Sequence, residues 1–231
     1  MKLKSVTFTG IDDATDLDRV AQLSWEYPFV EWGVLMSATR TGIDPRYPSL
    51  ATMAKVSDIG INPSVHLCGR LARDLAEVKG FSIQAALQFN PGARRIQVNL
   101  GRAVDQYDDL FYRLRSRARH FGVQIIMQAY GFDSPSVMLG AGVYSDDVVF
   151  LNDASGGEGI AGDFQAPVSK SRVGFAGGIC PENVLAKIEQ VNALPGDNEY
   201  WIDMESGVRT GNLLDLDKCE AVLKIAKHCI Q

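Results

Sequence analysis

Three glycine-rich segments in the second half of the chain are suited to binding an anion. Each segment follows a short apolar run. The first contains Gly156, Gly157 and Gly159, the second Gly177 and Gly178, and the third Ser206 and Gly207. Glycine lets backbone N–H groups come close to an anion, and a helix entered at Pro181 would add the dipole of its N-terminus. One such segment would indicate only a tight turn, but three in succession predict a phosphate-binding site.

The elements that would position these segments alternate between short apolar runs and longer amphipathic ones, which is typical of parallel strands joined by helices. The strand candidates are almost continuously apolar, as expected when helices cover a sheet: Ser5–Phe8, Phe29–Met36, Ser64–Leu67, Arg95–Asn99, Val123–Met127, Val148–Leu151, Arg172–Phe175 and Tyr200–Met204. Helices are predicted over Asp16–Glu26, Val104–His120 and Asp215–His228, from Pro181 onward, and in shortened form within 134–142.

Eight strand–helix pairs in 231 residues predict one (β/α)8 TIM barrel that spans residues 1–231 as a single domain. An open dinucleotide-binding sheet would need Gly-x-Gly-x-x-Gly after its first strand, and residues 9–13 lack that motif. No cofactor is expected. In barrels of this kind the active site lies at the carboxyl ends of the strands, and phosphate is often bound after strands seven and eight. The three tryptophans (Trp25, Trp32 and Trp201) are expected to pack in the interior or under helices.

Composition points away from several other classes of protein. The net charge is −5, and the densest basic run, residues 113–119, is typical of a solvated helix face, so nucleic acid is not an expected partner. The sequence shows neither the apolar core of a signal peptide nor an apolar run of about 20 residues, so neither export nor a membrane span is expected. Four cysteines without CxxC spacing predict neither a zinc site nor disulfides. We expect a reduced, cytoplasmic monomer or homodimer that binds a phosphorylated small molecule, without a metal.

A family resemblance covers residues 148–210. The matching segments are Phe-Leu-Asn-Asp with Gly-Gly-Glu-Gly within 150–159, Ala-Gly-Gly-Ile-Cys-Pro-Glu-Asn-Val at 176–184, and Ile-Asp-Met-Glu-Ser-Gly-Val at 202–208. They resemble phosphoribosylanthranilate isomerase, the barrel enzyme of tryptophan biosynthesis. In the first half the resemblance is limited to residues 9–10 and 45–47.

The resemblance implies an Amadori-type isomerisation of an aminoaldose phosphate to an aminoketose, which needs an acid for the ring oxygen and a base for the C2 proton. It places the acid at the end of strand six, at Asp153 or, with a shift of one residue, at Asn152. It places a cysteine base at the end of strand one, where this sequence has Thr9. A neutral hydroxyl needs activation before it can act in that role.

Other residues could supply the missing base. His66 and Cys68 flank the end of strand three, and Glu158 lies in the loop after strand six. Histidine titrates near neutrality, whereas a buried free cysteine commonly packs as a small apolar residue. The catalytic candidates therefore remain Asp153, His66, Thr9 and Cys68.

The resemblance also implies contacts with the rest of the substrate. Arg46 would bind the carboxylate of an aromatic ring through its planar guanidinium, and Asp203 would lie near the substrate hydroxyls. Glu205 stands where the family has a serine close to the phosphate, and a carboxylate there would repel the dianion unless its side chain turned away.

Two further functions fit the sequence. One is another phosphosugar epimerase or lyase of the same barrel group, because the segment Val65–Leu67 is similar to strand ends of ribulose-phosphate 3-epimerase. That family uses two histidines and two aspartates as metal ligands, whereas two of the three histidines here, His120 and His228, fall on predicted helices. The other is a non-catalytic protein that binds a phosphate ligand, left after loss of the base.

Overall fold

Eight parallel strands close into a barrel in the computed structural model, which describes residues 1–77, 82–106, 109–129, 145–155, 163–167 and 170–231. Each strand pairs with its neighbours in chain order, and the eighth pairs with the first. The strands are β1 Lys2–Thr9, β2 Val30–Ser37, β3 Pro63–Cys68, β4 Arg95–Asn99, β5 Gln124–Ala129, β6 Val148–Asp153, β7 Val173–Ala176 and β8 Glu199–Met204. The predicted (β/α)8 barrel is confirmed, and all eight strand candidates overlap these bounds.

Helices occupy the connections between strands. They are α1 Leu17–Glu26, α2 Leu50–Asp58, α3 Arg70–Ala76, α4 Ser82–Phe89, α5 Leu110–Phe121, α6 Val184–Asn192 and α7 Leu216–Ala226. The Asp16 side chain accepts hydrogen bonds from the first turn of α1, and the Asp215 side chain does the same for α7, as expected of N-cap residues. No helix in these described ranges is both long and apolar enough to cross a membrane.

The helix predicted over 104–120 is wrong at its N-terminal end. The structure has a 3-10 helix over Gly101–Gln106 and a separate α5 that begins at Leu110. Asp109 precedes α5 with φ of 54°, in the left-handed region, so the helical path cannot continue through this residue. The C-terminal end is as predicted, because Gly122 adopts φ of 65° after α5. The short helix expected within 134–142 lies outside the described residues.

A short hairpin separates β8 from the last helix. A 3-10 turn over Ser206–Val208 leads into β9 (Arg209–Thr210), which pairs with β10 (Leu213–Leu214) in antiparallel fashion. The Arg209 guanidinium donates to the carbonyl of Gly10 at 2.9 Å, while Asp12 accepts from the Leu214 N–H at 2.7 Å. The hairpin thereby fixes the segment after β8 against the segment after β1.

The main apolar core lies between the sheet and the helices, and a second set of side chains fills the barrel itself. In the main core, Trp32 packs on Phe8, and the centroids of the two rings lie 5.5 Å apart. Trp201 lies inside the barrel with Ile126, Val149 and Leu151. Trp25 is 88% exposed on α1, which corrects the expectation that it packs in the interior. Its position on the outer face of an amphipathic helix explains the exposure.

A charged layer closes the barrel below its carboxyl-terminal mouth. Glu31 accepts hydrogen bonds from Arg95 at 2.8 Å and from Thr7 at 2.9 Å, all inside the barrel. The guanidiniums of Arg95 and Arg172 lie 4.1 and 5.6 Å from the Trp201 ring centroid, where cation–π attraction is favourable. Because this layer is filled, ligand access is confined to the mouth.

Candidate active site

A cavity opens at the carboxyl ends of the strands. Seven polar side chains line it from strand positions that point into the barrel: Thr9, His66, Gln97, Asn99, Gln128, Asp153 and Asp203. Loop residues after β6, β7 and β8 complete one side of the cavity. The mouth of the barrel thus forms one cavity, lined from seven of the eight strands.

Residues 177–179 after β7 and residues 206–207 after β8 are called the glycine loops below. Gly177 and Gly178 have φ of 117° and 61°, a region in which a side chain would be strained. A Cβ on Gly207 would lie 1.9 Å from the carbonyl oxygen of Ile179, so the two loops touch at a point that requires glycine. Asn183 donates to the Gly178 carbonyl at 2.8 Å and holds the first loop in place.

The backbone N–H groups of Gly177, Gly178 and Ile179 donate to no acceptor in the part of the chain that the structure describes. These residues and Ser206 and Gly207 line the cavity. The structure thus brings together two of the three segments predicted to bind phosphate. The third, with Gly156, Gly157 and Gly159, lies outside the described residues, as does Glu158.

Asp153 is the strand-six residue that faces the cavity. Leu151 and Asp153 line it, whereas Asn152 alternates to the other face of β6. The Asp153 carboxyl group accepts hydrogen bonds from Gln128 Nε2 at 2.8 Å, from the Ser155 N–H at 3.0 Å and from the Ser155 hydroxyl at 2.7 Å. All three are contacts that a carboxylate accepts.

Asp203 is buried near the end of β8 and accepts a hydrogen bond from the Thr9 hydroxyl at 2.7 Å. Burial raises the pKa of Asp203 to about 8, the Thr9 hydrogen bond opposes that rise, and the negative charges of Glu31, Glu205 and Asp153 add to it. At neutral pH the Asp203 carboxyl group is therefore mostly protonated. Thr9, which the resemblance places where a cysteine base would lie, is here the hydrogen-bond donor to this carboxyl group.

His66 faces the cavity from β3 and is buried. Burial, with the nearby positive charge of Arg95, lowers the pKa of His66 to about 3, so its imidazole is neutral at physiological pH. Its Nε2 atom and the Oε1 atom of Gln97 are buried without a hydrogen-bond partner among the described residues. Space for His66 and Thr9 depends on Gly33, because a Cβ there would lie 2.6 Å from Thr9 Oγ1 and 3.1 Å from His66 Nε2.

Cys68 lies beside the site without lining the cavity in the described structure. Its Sγ accepts a hydrogen bond from Asn99 Nδ2 at 3.4 Å. Burial raises the pKa of the Cys68 thiol, which disfavours the thiolate that a base or nucleophile requires. These surroundings favour a packing role for Cys68.

Arg46 and Glu205 pair at the rim of the mouth. Arg46 reaches from the segment after β2 to donate to Glu205 Oε1 at 3.1 Å, and both side chains are partly exposed. Glu205 therefore turns toward a guanidinium. The residue that the resemblance assigns to a substrate carboxylate already holds a carboxylate of this chain.

Sequence reasoning did not single out Gln97, Asn99, Gln128 or Ser155, all of which line the cavity. A signal was present, because Gln97 and Asn99 alternate with the apolar Ile96 and Val98 along β4, as expected of one inward face. No group of three His, Cys, Asp or Glu side chains in the described ranges is arranged to hold a metal ion.

Comparison with known proteins supports the fold. No protein-family model and no curated protein matches this chain. Among solved structures, N-(5'-phosphoribosyl)anthranilate isomerase from Pyrococcus furiosus is similar over 97% of this chain and 98% of its own, with a TM-score of 0.61 and 20% identity. 3-Hexulose-6-phosphate synthase from Salmonella typhimurium is similar over 99% of both chains, with a TM-score of 0.51 and 12% identity.

A third structure, a truncated 3-deoxy-D-arabino-heptulosonate 7-phosphate synthase from Thermotoga maritima, has a TM-score of 0.53 at 11% identity, over 98% of this chain and 86% of its own. At these identities the similarity shows the fold alone. The chain is a (β/α)8 barrel whose carboxyl-terminal mouth holds three carboxyl groups (Asp153, Asp203 and Glu205), a neutral histidine and two glycine loops.

Proposed function

We propose that this chain is an isomerase that moves a proton between neighbouring carbons of a phosphorylated sugar derivative, with Asp153 and Asp203 as the acid–base pair. The observation that carries the proposal is their shared cavity, in which the two carboxyl groups have different environments beside the glycine loops. Pairs of titratable groups whose surroundings separate their protonation states are the usual basis of such proton transfer.

The glycine loops are the proposed phosphate site. Consecutive backbone N–H groups near glycines of positive φ form a concave set of donors that suits an anion, and three such groups here have no acceptor among the described residues. The ion pair with Arg46 draws the Glu205 charge toward a guanidinium. A phosphate bound at these loops would hold the sugar carbons over Asp153 and Asp203.

The roles of the two carboxyl groups follow from their contacts. Asp203, with a pKa of about 8, carries a proton at neutral pH and acts as the acid toward the substrate oxygen or nitrogen on C1. Asp153 accepts three hydrogen bonds as a carboxylate would and takes the proton from C2. The resulting enediol or enaminol then receives a proton at C1 and loses one from the C2 oxygen, which gives the ketose. This assignment reverses the role that the resemblance implies for Asp153.

Thr9 and His66 are neither the acid nor the base in this scheme. Thr9 holds the Asp203 carboxyl group through its hydroxyl. The low pKa of His66, about 3, makes it a weak base but leaves a neutral imidazole for hydrogen bonding. No cysteine base is needed in this scheme.

Proton exchange at C2 tests the proposal with two accessible compounds of the right chemical class. Ribose 5-phosphate and phosphoribosylanthranilate are each incubated with the protein in D2O, and loss of the C2 proton signal is followed by NMR. Wild type should exchange this proton with at least one of them. Asp153→Asn and Asp203→Asn should each slow the exchange about 100-fold or more, the usual contribution of a positioned acid or base.

Asp58→Asn, which changes an exposed aspartate at the end of α2, is the matched control and should exchange at the wild-type rate. Exchange that persists in both active-site variants would overturn the assignment of the pair. Exchange without ketose formation would indicate an epimerase instead. Binding of a phosphorylated product analogue by a wild type that exchanges nothing would favour the non-catalytic binding protein, an alternative that the loss of the family cysteine to Thr9 supports.

A further inference from the structure

We propose that His66 and Gln97 form a hydroxyl-binding subsite, and therefore that the substrate is a polyhydroxylated sugar phosphate and does not carry an aromatic acid. The subsite lies on the cavity side formed by β3 and β4, called the β3–β4 wall below and defined by His66, Gln97 and Asn99. The inference rests on the proposed function, because it identifies what occupies the cavity beyond the phosphate.

The first observation is that this wall holds polar atoms that lack partners. His66 is 1% exposed and Gln97 is 3% exposed, yet His66 Nε2 and Gln97 Oε1 make no hydrogen bond among the described residues. Buried polar atoms are nearly always paired, and those that are not need an explanation such as a missing ligand. Because both residues line the same cavity, a bound ligand is the natural partner.

The second observation fixes what that partner must offer. Gln97 Nε2 donates to Asn99 Oδ1 at 2.9 Å, and Asn99 Nδ2 donates to Cys68 Sγ at 3.4 Å. Because the amide nitrogen of Gln97 is engaged by Asn99, Oε1 is the atom of this amide left without a partner, and a ligand must donate to it. A hydroxyl group both donates and accepts, and it can therefore satisfy Gln97 and also His66 in either tautomer. The edge of a benzene ring can satisfy neither.

The third observation concerns the rim, where an aromatic acid would have to bind. Arg46 is paired with Glu205 at 3.1 Å, so a substrate carboxylate would have to displace Glu205 and would meet its negative charge. The apolar residues that line the described cavity are aliphatic: Leu151, Ala176, Ile179 and Met204. None of the described lining residues offers a benzene or indole ring for stacking.

Binding of matched probes tests the subsite. Calorimetry is used to compare inorganic phosphate, ribose 5-phosphate, 2-deoxyribose 5-phosphate and phenyl phosphate on the wild-type protein. We expect ribose 5-phosphate to bind at least tenfold more tightly than phenyl phosphate, with the deoxy compound between them. One hydrogen bond to a buried acceptor commonly corresponds to about a tenfold change in affinity.

The variant Gln97→Met keeps the length of the side chain and removes its amide. It should weaken ribose 5-phosphate about tenfold and leave inorganic phosphate and phenyl phosphate unchanged. Gln22→Met, which changes an exposed glutamine on α1, is the matched control and should bind all four probes as wild type does. If Gln97→Met fails to fold, the comparison of the four probes on wild type still decides the question.

A second variant tests the rim. Wild type should bind 2-carboxyphenyl phosphate less tightly than phenyl phosphate, and Glu205→Gln should reverse that order because it frees Arg46 for the ligand carboxylate. Tighter binding of 2-carboxyphenyl phosphate than of ribose 5-phosphate by wild type would overturn the inference.

The outcomes separate the two proposals. If none of the four probes binds, the phosphate site and the proposed function fail together with the inference. If phosphate binds, but phenyl phosphate and ribose 5-phosphate bind equally and Gln97→Met changes neither, the hydroxyl subsite fails while the proposed function stands.

Discussion

The glycine loops present backbone to the cavity, whereas the β3–β4 wall presents side chains. Gly177 and Gly178 are conformationally specialised, and their N–H groups have no acceptor among the described residues. On the wall, His66 and Gln97 are buried, and one polar atom of each has no hydrogen-bond partner among the described residues. Both sides therefore expose hydrogen-bonding capacity that the described protein does not itself use.

The difference indicates how the site divides recognition. Backbone N–H groups are donors only, so the glycine loops suit an anion and are indifferent to what the anion is attached to. In the proposed subsite, the acceptor and the neutral imidazole of the wall would discriminate among the groups attached to that anion. Between the two sides lie Asp153 and Asp203, so a ligand held at both ends would place its reacting carbons at the carboxyl groups.

Among the changes that separate the two sides of the cavity, the largest effect is expected from one that breaks the glycine loops. Gly207→Ala would place a Cβ 1.9 Å from the Ile179 carbonyl oxygen, so the loop after β7 would have to move. Affinity for inorganic phosphate should fall at least tenfold in calorimetry, since that loop carries the unpaired N–H groups. Gly92→Ala is the control, because its Cβ would meet its nearest atom at an ordinary 3.6 Å. Unchanged phosphate affinity in a folded Gly207→Ala protein would place the anion elsewhere.

A smaller effect, on C2 exchange and not on phosphate binding, is expected from a change beside His66 of the β3–β4 wall. Gly33→Ala would bring a Cβ within 2.6 Å of Thr9 Oγ1 and 3.1 Å of His66 Nε2. Overpacking of this kind commonly costs about 1–3 kcal/mol of stability, and the Thr9–Asp203 hydrogen bond should be lost. We expect C2 exchange to slow about tenfold while inorganic phosphate affinity stays within about twofold. Equal loss of both functions would show that the two sides are not independent.

The smallest effect is a displacement of the pH profile. With a pKa of about 8, Asp203 should lose its acid function as pH rises through about 8, so the exchange rate should fall on that alkaline limb. Thr9→Val removes a hydrogen bond that lowers this pKa, so the limb should move to higher pH. A profile of exchange rate against pH for both proteins measures the shift. A limb that moved to lower pH would contradict the assigned role of Thr9.

The raised pKa of Asp203 also makes the stability of the protein depend on pH. Because the folded-state pKa of Asp203 is raised from 3.8 to about 8, its contribution to stability is fully present below 3.8 and is lost as pH rises through 8. Asp203→Asn should therefore be more stable relative to wild type at pH 9 than at pH 6, as measured by urea unfolding at both values. The unfolding measurements therefore check, independently of the exchange rates, that the pKa of Asp203 is raised.

The strands and the glycine segments could be predicted because both are local patterns. All eight strand candidates overlap observed strands, since an apolar run bounded by turns is contiguous in sequence. The break before α5 could not be predicted, because nothing local required Asp109 to adopt a φ of 54°. Trp25 was misjudged because its residue type is usually buried, whereas its side chain projects from the solvent face of α1.

The site was only partly predictable, because its parts come from strands far apart in the chain. His66 and Asp153 could be proposed from their positions at strand ends, Thr9 and Asp203 only from the family resemblance, and all four line the cavity. The choice of Asp153 over Asn152 required the alternation of β6 to be known in register. The pairing of Arg46 with Glu205 joins residues 159 positions apart, and no local pattern could have indicated it.

The sequence by itself determined the barrel and the glycine segments, because hydrophobic periodicity and glycine content act over a few residues. Only the tertiary structure decided the chemical states within the mouth. Burial gives Asp203 a pKa of about 8 and His66 a pKa of about 3, and burial depends on what every other strand places around each group. The physical reason is that desolvation and charge–charge interaction depend on three-dimensional distance, which the order of residues does not specify.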